Sequence, residues 1–406
     1  MIDTAIMVCP RDGLPEAALL DIEVAGLNLL TRCLLTAQQA GFRKLVVVAS
    51  PARLGALRRQ AAVQPRLDGC VQWAEGVSDL PTAPARCVVW VPTVVLHAGA
   101  LRAWRQRVSE VDGIATAEGV RAGPWAISSA LFPAFVDAAR DGLAGVERFR
   151  EHARRGAPVY DVPWEGTMPE AVRSSADVPG VERRMLRALR TPEDGPIVDR
   201  FVNRTISERI SLRLVRWPVT PNQITLASLL TGLLGAWVLR SDGAATSLLG
   251  LALFQCSVVL DHVDGEIARL RFQFSRLGKW LDNFSDHVVD LAVVAAIAWR
   301  VAVGGSGASV LALLGGAVLG VTGSFLAVFF WSLRGGKSTS GASSQRAAET
   351  MISMANRDGF CLALWATILL GRPVWFLWTL AIGSNIFWMA WLAVCGLPRR
   401  ARASAG

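Results

Sequence analysis

The rhythm of apolar and polar positions changes twice along this chain. Up to about residue 165, short β-branched and apolar runs, Thr4 to Cys9, Lys44 to Ala49 and Arg86 to Val91, predict strands, while Gly26 to Ala40 and Pro51 to Ala62 carry helical periodicity. Strand and helix in alternation predict an α/β domain with a mostly parallel sheet. From Ser174 to Pro196 the chain becomes charged and proline-containing, with one predicted helix around Val181 to Arg190, and reads as a connector. Val198, Phe201, Val202, Ile206, Ile210 and Leu214 then recur at helical spacing against Arg200, Arg204, Arg209, Arg213 and Arg216. A helix of that kind can lie in a membrane interface with its arginines toward phosphate. A soluble helix packed on the N-terminal domain would show the same pattern. Thr-Pro-Asn-Gln at 220–223 reads as a turn.

Apolar stretches follow at 223–239, 244–260, 284–302, 307–333, 359–371 and 373–395. Most approach the ~20 residues that a helix needs to cross hydrocarbon. The fifth is short and meets the sixth at Arg372-Pro373, so that pair can also be read as one hairpin. The predicted organisation is an α/β domain over 1–173, a connector over 174–196, an interfacial amphipathic helix over 197–217, an all-α six-helix transmembrane domain over 218–397 and a basic tail over 398–406.

Composition agrees with a membrane portion. The 406 residues are 52% hydrophobic with a mean hydropathy of +0.37, too apolar for an ordinary soluble chain. The net charge of +9 points to Lys and Arg held at a cytoplasmic face near anionic lipid, not to nucleic acid. Six alternating spans with a cytosolic N-terminus put Arg213, Arg216, Arg269, Arg271, Arg276, Lys279, Arg334, Lys337, Arg346, Arg357, Arg399, Arg400 and Arg402 inside, against Arg240, Arg300 and Arg372 outside. Both termini are then cytosolic, in an inner or plasma membrane. The first ten residues lack the basic segment of a signal peptide, so the front half is expected to stay in the cytosol. Seven scattered cysteines form no CxxC or Cys/His cluster, and no zinc site or disulfide framework is implied.

The chemistry gathers at the second and third spans. The second runs into Asp261-His262-Val263-Asp264-Gly265-Glu266-Ile267-Ala268-Arg269, and the third opens with Gly278-Lys279-Trp280-Leu281-Asp282-Asn283-Phe284-Ser285-Asp286. On helices, 261, 264, 265 and 268 share one face, as do 278, 282 and 286. Like charges at these spacings repel, and at a bilayer edge they also lose hydration, so four carboxylates need cations or protons. Local basic partners are missing: Asp261 meets Asp264 and Gly265, and Asp282 meets Ser285 and Asp286. Divalent Mg²⁺ or Mn²⁺, which prefers carboxylate oxygen, answers that need and leaves positions for substrate phosphate. Gly265 and Ala268 would let a diphosphate approach the backbone, and Arg269 offers a fork for its oxygens. His262 and His287, each beside an aspartate, are expected to fill interface positions.

The pattern D-x2-D-G-x2-A-R-x8-G-x3-D-x3-D, filled by Asp261, Asp264, Gly265, Ala268, Arg269, Gly278, Asp282 and Asp286, resembles the signature of the CDP-alcohol phosphotransferase family. Pro-Val-Thr-Pro-Asn-Gln-Ile-Thr at 218–225 is similar to that family's entry to its first span, and the resemblance covers roughly residues 195–395. It implies that Asp261, Asp264 and Asp282 ligate a pair of divalent metals. Asp286 would complete the site and act as general base on the acceptor hydroxyl. Asn222 and Arg269 would sit near the donor diphosphate, and Gly265, Ala268 and Gly278 would give room for CDP. The implied reaction transfers a substituted phosphate from a CDP-linked donor, CDP-diacylglycerol or a CDP-polyol such as CDP-inositol, to a hydroxyl acceptor with release of CMP. The resemblance also implies a homodimer in membrane lipid. Lys279, Arg346 and Arg357 are candidates for the acceptor. An ion-coupled transporter would also use intramembrane carboxylates, but the aspartates cluster at one end of the spans and no broken inverted repeat is evident. A catalytically silent scaffold is opposed by the intact motif.

Val24-Ala25-Gly26-Leu27-Asn28-Leu29-Leu30, followed by a helix and then Ala40 to Val48, resembles sugar-phosphate nucleotidyltransferases. Its fusion to a membrane phosphotransferase resembles the bifunctional inositol-phosphate cytidylyltransferase and di-inositol-phosphate-phosphate synthases. The departures concern chemistry. Pro10-Arg11-Asp12-Gly13-Leu14-Pro15 has one glycine and two prolines where a phosphate-cradling loop is expected. Pro92-Thr93-Val94-Val95 has no metal-binding aspartate, and Trp164-Glu165-Gly166-Thr167-Met168-Pro169 stands where another is expected. This domain is expected not to transfer nucleotides and to serve regulation, docking or stability.

Overall fold

The computed structural model describes residues 2–79, 85–111, 113–118, 120, 123–156, 158–189, 203–305, 307–333 and 357–393. Two compact units emerge, the first built on Met1–Leu189 and the second on Arg190–Arg269 and Gln273–Gly406.

In the first unit the β-branched runs Thr4–Val8, Lys44–Val48 and Arg86–Trp90 are neighbouring strands of a seven-stranded sheet. Thr4–Val8 lies between the other two and pairs in parallel with both. Val71–Ala74 adds a parallel strand on one side, and on the other Trp125–Ser128 runs antiparallel to Arg86–Trp90. Ile114–Ala117 and Val159–Val162 complete the sheet. The central strands are continuously apolar because both faces are covered. Met7, Leu45, Val47, Val88 and Trp90 point into one core, whereas Ile6, Val8, Val46, Val48 and Val89 point into another.

One local reading is corrected. The helix expected from Gly26 begins at Leu29, because Glu23–Val24 and Leu27–Asn28 form a small antiparallel hairpin. Its two-residue turn has positive φ at Ala25 (49°) and Gly26 (72°), the conformation a tight hairpin with right-twisted strands requires. Asn28 then caps the helix by accepting a hydrogen bond from the Thr31 N–H at 2.9 Å. The turn is pinned by buried groups: Ala25 N–H donates to Glu182 Oε1 at 2.9 Å, and Arg32 donates to Val24 O.

The second unit is helical. Among the described residues, four helices are long and apolar enough to cross a membrane: Pro221–Leu239, Ala244–Leu270, Ser309–Trp331 and Pro373–Trp391. Arg276–Val303 is also long, with Arg276, Lys279, Asp282 and Asp286 in its first half and Asp290 just past its middle, and Arg357–Leu369 is shorter. Thr220 starts the first of these with a capping box, its hydroxyl accepting from Gln223 N–H while the Gln223 side chain accepts from Thr220 N–H. Ser275 caps the Arg276–Val303 helix by accepting from Gly278 N–H at 2.8 Å. A stripe of Leu226, Leu230, Leu234 and Trp237 on the Pro221–Leu239 helix stays exposed. Its opposite face uses glycine for close approach: a Cβ on Gly235 would lie 2.9 Å from Phe254 N and 3.1 Å from Gly250 O.

The Arg204–Leu214 helix falls within the amphipathic segment 197–217. Its buried positions are Ser207 and Ser211, while Ile206 is exposed. Ile210 and Leu214 pack against Ile224, Val263 and Ile267. Val198, Phe201 and Val202 lie outside the described residues.

Candidate active site

The Ala244–Leu270 and Arg276–Val303 helices bring the motif aspartates together. Asp261, Asp264 and Asp282 each offer an oxygen, and the three lie within 4.8 Å of one another. Asp264 is buried and the other two are half-buried. Thr225, one turn into the Pro221–Leu239 helix, donates its hydroxyl to Asp264 Oδ2. Asp282 Oδ1 is buried with no hydrogen-bond partner among the described residues. Three carboxylates this close repel unless a proton or cation joins them. Clustered hard oxygens with one left unpaired suit a divalent ion such as Mg²⁺ or Mn²⁺.

Arg357 joins this cluster from the start of its own helix. Its Nη1 donates to Asp286 Oδ1 and lies 3.7 Å from Asp261 Oδ2, while its Nε lies 3.5 Å from Asp290 Oδ1. Its guanidinium carbon sits 5.7 Å from the centre of the Phe254 ring. The absence of local basic partners, read from the sequence, is therefore only part of the charge balance. A cation distant along the chain neutralises some of it, but one guanidinium cannot balance five acidic side chains.

The remaining motif residues take distinct places. A Cβ on Gly278 would lie 3.2 Å from Asn222 Oδ1 and 2.8 Å from Ser275 Oγ, so the missing side chain is what lets Asn222 and the helix cap approach. Beside Gly265 the first side chain such a Cβ would meet is Arg269, at 3.5 Å from Nη2. Ala268 is half-buried and Arg269 exposed. Of the acceptor candidates, Lys279 and Arg357 both line a cavity of about 1080 Å³, together with Asp286, Asp290 and His287. Arg346 lies outside the described residues. His287 stacks on Phe325 with ring centres 4.3 Å apart, and His262 Nδ1 stands 4.0 Å from Asp261 Oδ2.

Three polar residues were missed in the sequence. Asp290 continues the 282, 286 series by one turn within an apolar run, and an ionisable residue there is itself a signal. Thr225 stood in the quoted 218–225 segment without a role. Glu266 is buried and accepts hydrogen bonds from Ser207 Oγ at 2.9 Å and Ser211 Oγ at 2.6 Å. No periodicity predicts that pairing.

In the first unit, the residues at the expected nucleotide positions bond neighbouring protein groups. Asp12 accepts from Ser50 Oγ at 2.5 Å and pairs with Arg53 at 3.2 Å, and Arg11 N–H donates to Arg140 O at 2.7 Å. Thr93 O accepts from Val172 N–H at 2.9 Å, and Val94–Val95 pair with Glu170–Ala171. Glu165 pairs with Arg107. Among the described residues, the acidic group at Asp261, Asp264 and Asp282 is the one with spacing suited to a metal ion.

Comparison with known proteins adds the following. A curated protein of Thermococcus kodakarensis, named bifunctional IPC transferase and DIPP synthase, is 40% identical over 119 residues, 29% of this chain and 26% of the relative. A protein of the same name from Aquifex aeolicus is 36% identical over 128 residues, 31% of this chain and 28% of the relative. The matches thus span little more than a quarter of these relatives' length. Among solved structures, phosphatidylinositol phosphate synthase of Mycobacterium tuberculosis with CDP-DAG bound aligns at 20% identity and a TM-score of 0.34, covering 48% of this chain and 99% of that one. The 4-diphosphocytidyl-2C-methyl-D-erythritol synthase of Anaerococcus prevotii aligns at 12% identity and a TM-score of 0.34, covering 45% of this chain and 97% of that one. The family model for CDP-alcohol phosphatidyltransferase matches residues 218–394, the stretch that contains every described element of the aspartate site. The helical half of the chain therefore carries a CDP-alcohol phosphatidyltransferase domain.

Proposed function

We propose that this chain is an integral membrane enzyme that transfers a substituted phosphate from a CDP-linked donor to a hydroxyl acceptor and releases CMP. The observation that carries this reading is the convergence of Asp261, Asp264 and Asp282 within 4.8 Å, in a domain of matching family. The donor is CDP-diacylglycerol or a CDP-polyol such as CDP-inositol, and the DIPP synthase name of the curated relatives favours the second.

Asp261, Asp264, Asp282 and Asp286 are the residues that would hold a pair of divalent ions, Mg²⁺ or Mn²⁺. Bound there, such ions polarise the donor diphosphate and stabilise the leaving CMP. Thr225 keeps one Asp264 oxygen engaged and so orients the other. Asn222, Gly265, Ala268, Arg269 and Gly278 receive the CDP portion, Gly265 and Ala268 leaving space, Gly278 letting Asn222 approach and Arg269 supplying paired donors for diphosphate oxygen. Asp286 takes the proton of the acceptor hydroxyl. The acceptor oxygen bonds to the phosphorus remote from cytidine while the bond from that phosphorus to the bridging oxygen breaks, and CMP departs. Lys279, Arg346 and Arg357 face the acceptor in this reading, the first and last supported by their place in the wall of the cavity.

The setting is a six-span bundle with both termini in the cytosol, an interfacial helix over 197–217 and a homodimer in lipid. The α/β domain over 1–173 does not transfer nucleotides and serves regulation, docking or stability. Incubating it with CTP and polyol phosphates should yield no pyrophosphate, and robust turnover would overturn that part. For the main reaction, the purified full chain in lipid with Mg²⁺ or Mn²⁺ should release CMP from at least one donor and acceptor pair. Asp286→Asn should abolish release while the protein stays folded. Silence with every donor, or full activity in that variant, would overturn the proposal.

A further inference from the structure

Asp290 has no part in the aspartate motif, yet it faces the same cavity as Asp286 and Lys279. It lies four residues past Asp286, hence about 6 Å further along the helix at ~1.5 Å per residue. Its Oδ1 is buried and has no hydrogen bond among the described residues, and its near neighbour is Arg357 Nε at 3.5 Å.

Arg357 presents a rigid planar fork of five N–H donors. Nη1 bonds Asp286, Nε faces Asp290, and one face of the guanidinium lies over Phe254. The hydrogen bond at Nη1 and the ion pair at Nε together restrain the plane of the group. Nε and Nη2 are both buried without a hydrogen-bond partner among the described residues, in a side chain that lines the cavity. Without Asp290 the guanidinium would be drawn by Asp286 and Asp261 alone. It would then shift toward them and away from its present place in the cavity wall.

We infer that Asp290 is a positioning residue for the acceptor: its carboxylate, paired with Arg357 at Nε, holds the guanidinium in the cavity wall, where it meets an anionic, phosphate-bearing polyol. The inference rests on the proposed transferase reading for the identity of the site, but it concerns acceptor binding and can be tested apart from turnover.

The test compares wild type with Asp290→Asn and Asp290→Glu in the full chain in lipid. Binding of inositol 1-phosphate or sn-glycerol 3-phosphate is followed by calorimetry without donor, and steady-state CMP release is followed with each substrate varied. Asp290→Asn should weaken polyol phosphate binding and raise the acceptor KM about tenfold, with the donor KM within twofold of wild type. Asp290→Glu should recover part of the loss. In an Arg357→Ala background, Asp290→Asn should add nothing. That double variant also removes both members of the pair, so it remains informative if Asp290→Asn alone fails to fold. Unchanged polyol phosphate binding in Asp290→Asn, an equal rise in both KM values, or additive effects in the double variant would overturn the inference. Lack of CMP release by wild type that still binds polyol phosphate in an Asp290-dependent way would instead overturn the transferase reading and leave this one standing. Wild type that neither releases CMP nor binds polyol phosphate would overturn both.

Discussion

Glu266 offers the sharpest test of how the helical unit is held together. Its carboxylate is 5% exposed, accepts two serine hydroxyls from the Arg204–Leu214 helix and lies 3.8 Å from Arg204 Nη1. It neighbours Gly265 in the sequence, so the same turn that presents the aspartate motif on one face fastens a separate helix on another. Replacing it with Ala removes a buried charge, strands the Ser211 hydroxyl and leaves Ser207 Oγ only the Arg204 carbonyl at 3.3 Å. Breaking one side of a buried ionic network costs about 3–5 kcal/mol. For a unit of this size that corresponds to a fall in melting temperature of roughly 6–20 °C, at about 2–4 °C per kcal/mol. Glu266→Gln keeps the shape and one acceptor, and should lose about 1.5–3 kcal/mol, the net value of a hydrogen bond to a charged group. The serines set the control. Ser207→Ala with Ser211→Ala should cost less than Glu266→Ala, and the triple variant should be no worse than Glu266→Ala alone, because it leaves no hydroxyl stranded. The assay is thermal unfolding of the full chain in detergent, read at matched protein and lipid concentrations. A Glu266→Ala variant that melts with wild type, or strictly additive losses across the set, would refute the reasoning.

Three further outcomes follow from the same structure. Gly235→Ala should lower the melting temperature by an amount equivalent to about 1–3 kcal/mol, the usual cost of overpacking, because its Cβ would meet backbone at 2.9 Å; an unchanged melt would contradict the close approach. Burial pushes the Cys9, Cys33 and Cys87 thiols up to about 12, so at pH 8 a maleimide should label exposed Cys70 and leave those three untouched until the protein unfolds, as mass spectrometry of the peptides would show. Asp177 is held below the usual carboxylate range by backbone hydrogen bonds from Arg173 and Ser174. Its contribution is therefore present above its unfolded value and is lost only as pH falls through the depressed folded value. Protection from hydrogen exchange at Arg173 and Ser174, taken relative to the intrinsic rate at each pH, should persist down to about pH 4, given an ordinary Asp near 3.9, and be lost only below it; loss of protection already at pH 6 would contradict this.

The sequence made two kinds of feature legible. Strands buried on both faces show as unbroken β-branched runs, so Thr4–Val8, Lys44–Val48 and Arg86–Trp90 were readable to within a residue. The aspartates were readable because helical spacing alone puts them on one face. Turn chemistry was harder: Ala25-Gly26 lies inside an apolar stretch, and its positive φ values carry no hydrophobic signature. Tertiary partners were harder still. Arg357 stands 71 residues from Asp286 in the chain, Ser211 stands 55 from Glu266, and Thr225 stands 39 from Asp264. No local pattern selects those pairs, and Arg357 could be listed among acceptor candidates without its carboxylate partners being foreseen. The Arg204–Leu214 helix shows the same limit, since an apolar-versus-arginine stripe gave no hint that its serines would be the buried positions.

The central claim is that Asp261, Asp264 and Asp282 are gathered around divalent metal. The most direct test is electron paramagnetic resonance of Mn²⁺ titrated into the purified full chain, wild type beside Asp261→Asn and Asp282→Asn. The account predicts protein-bound Mn²⁺ in wild type, displaced by excess Mg²⁺ and stripped by chelator, with binding lost or at least tenfold weaker in both variants. Only free Mn²⁺ in the wild-type spectrum, or variants that bind as wild type does, would contradict it.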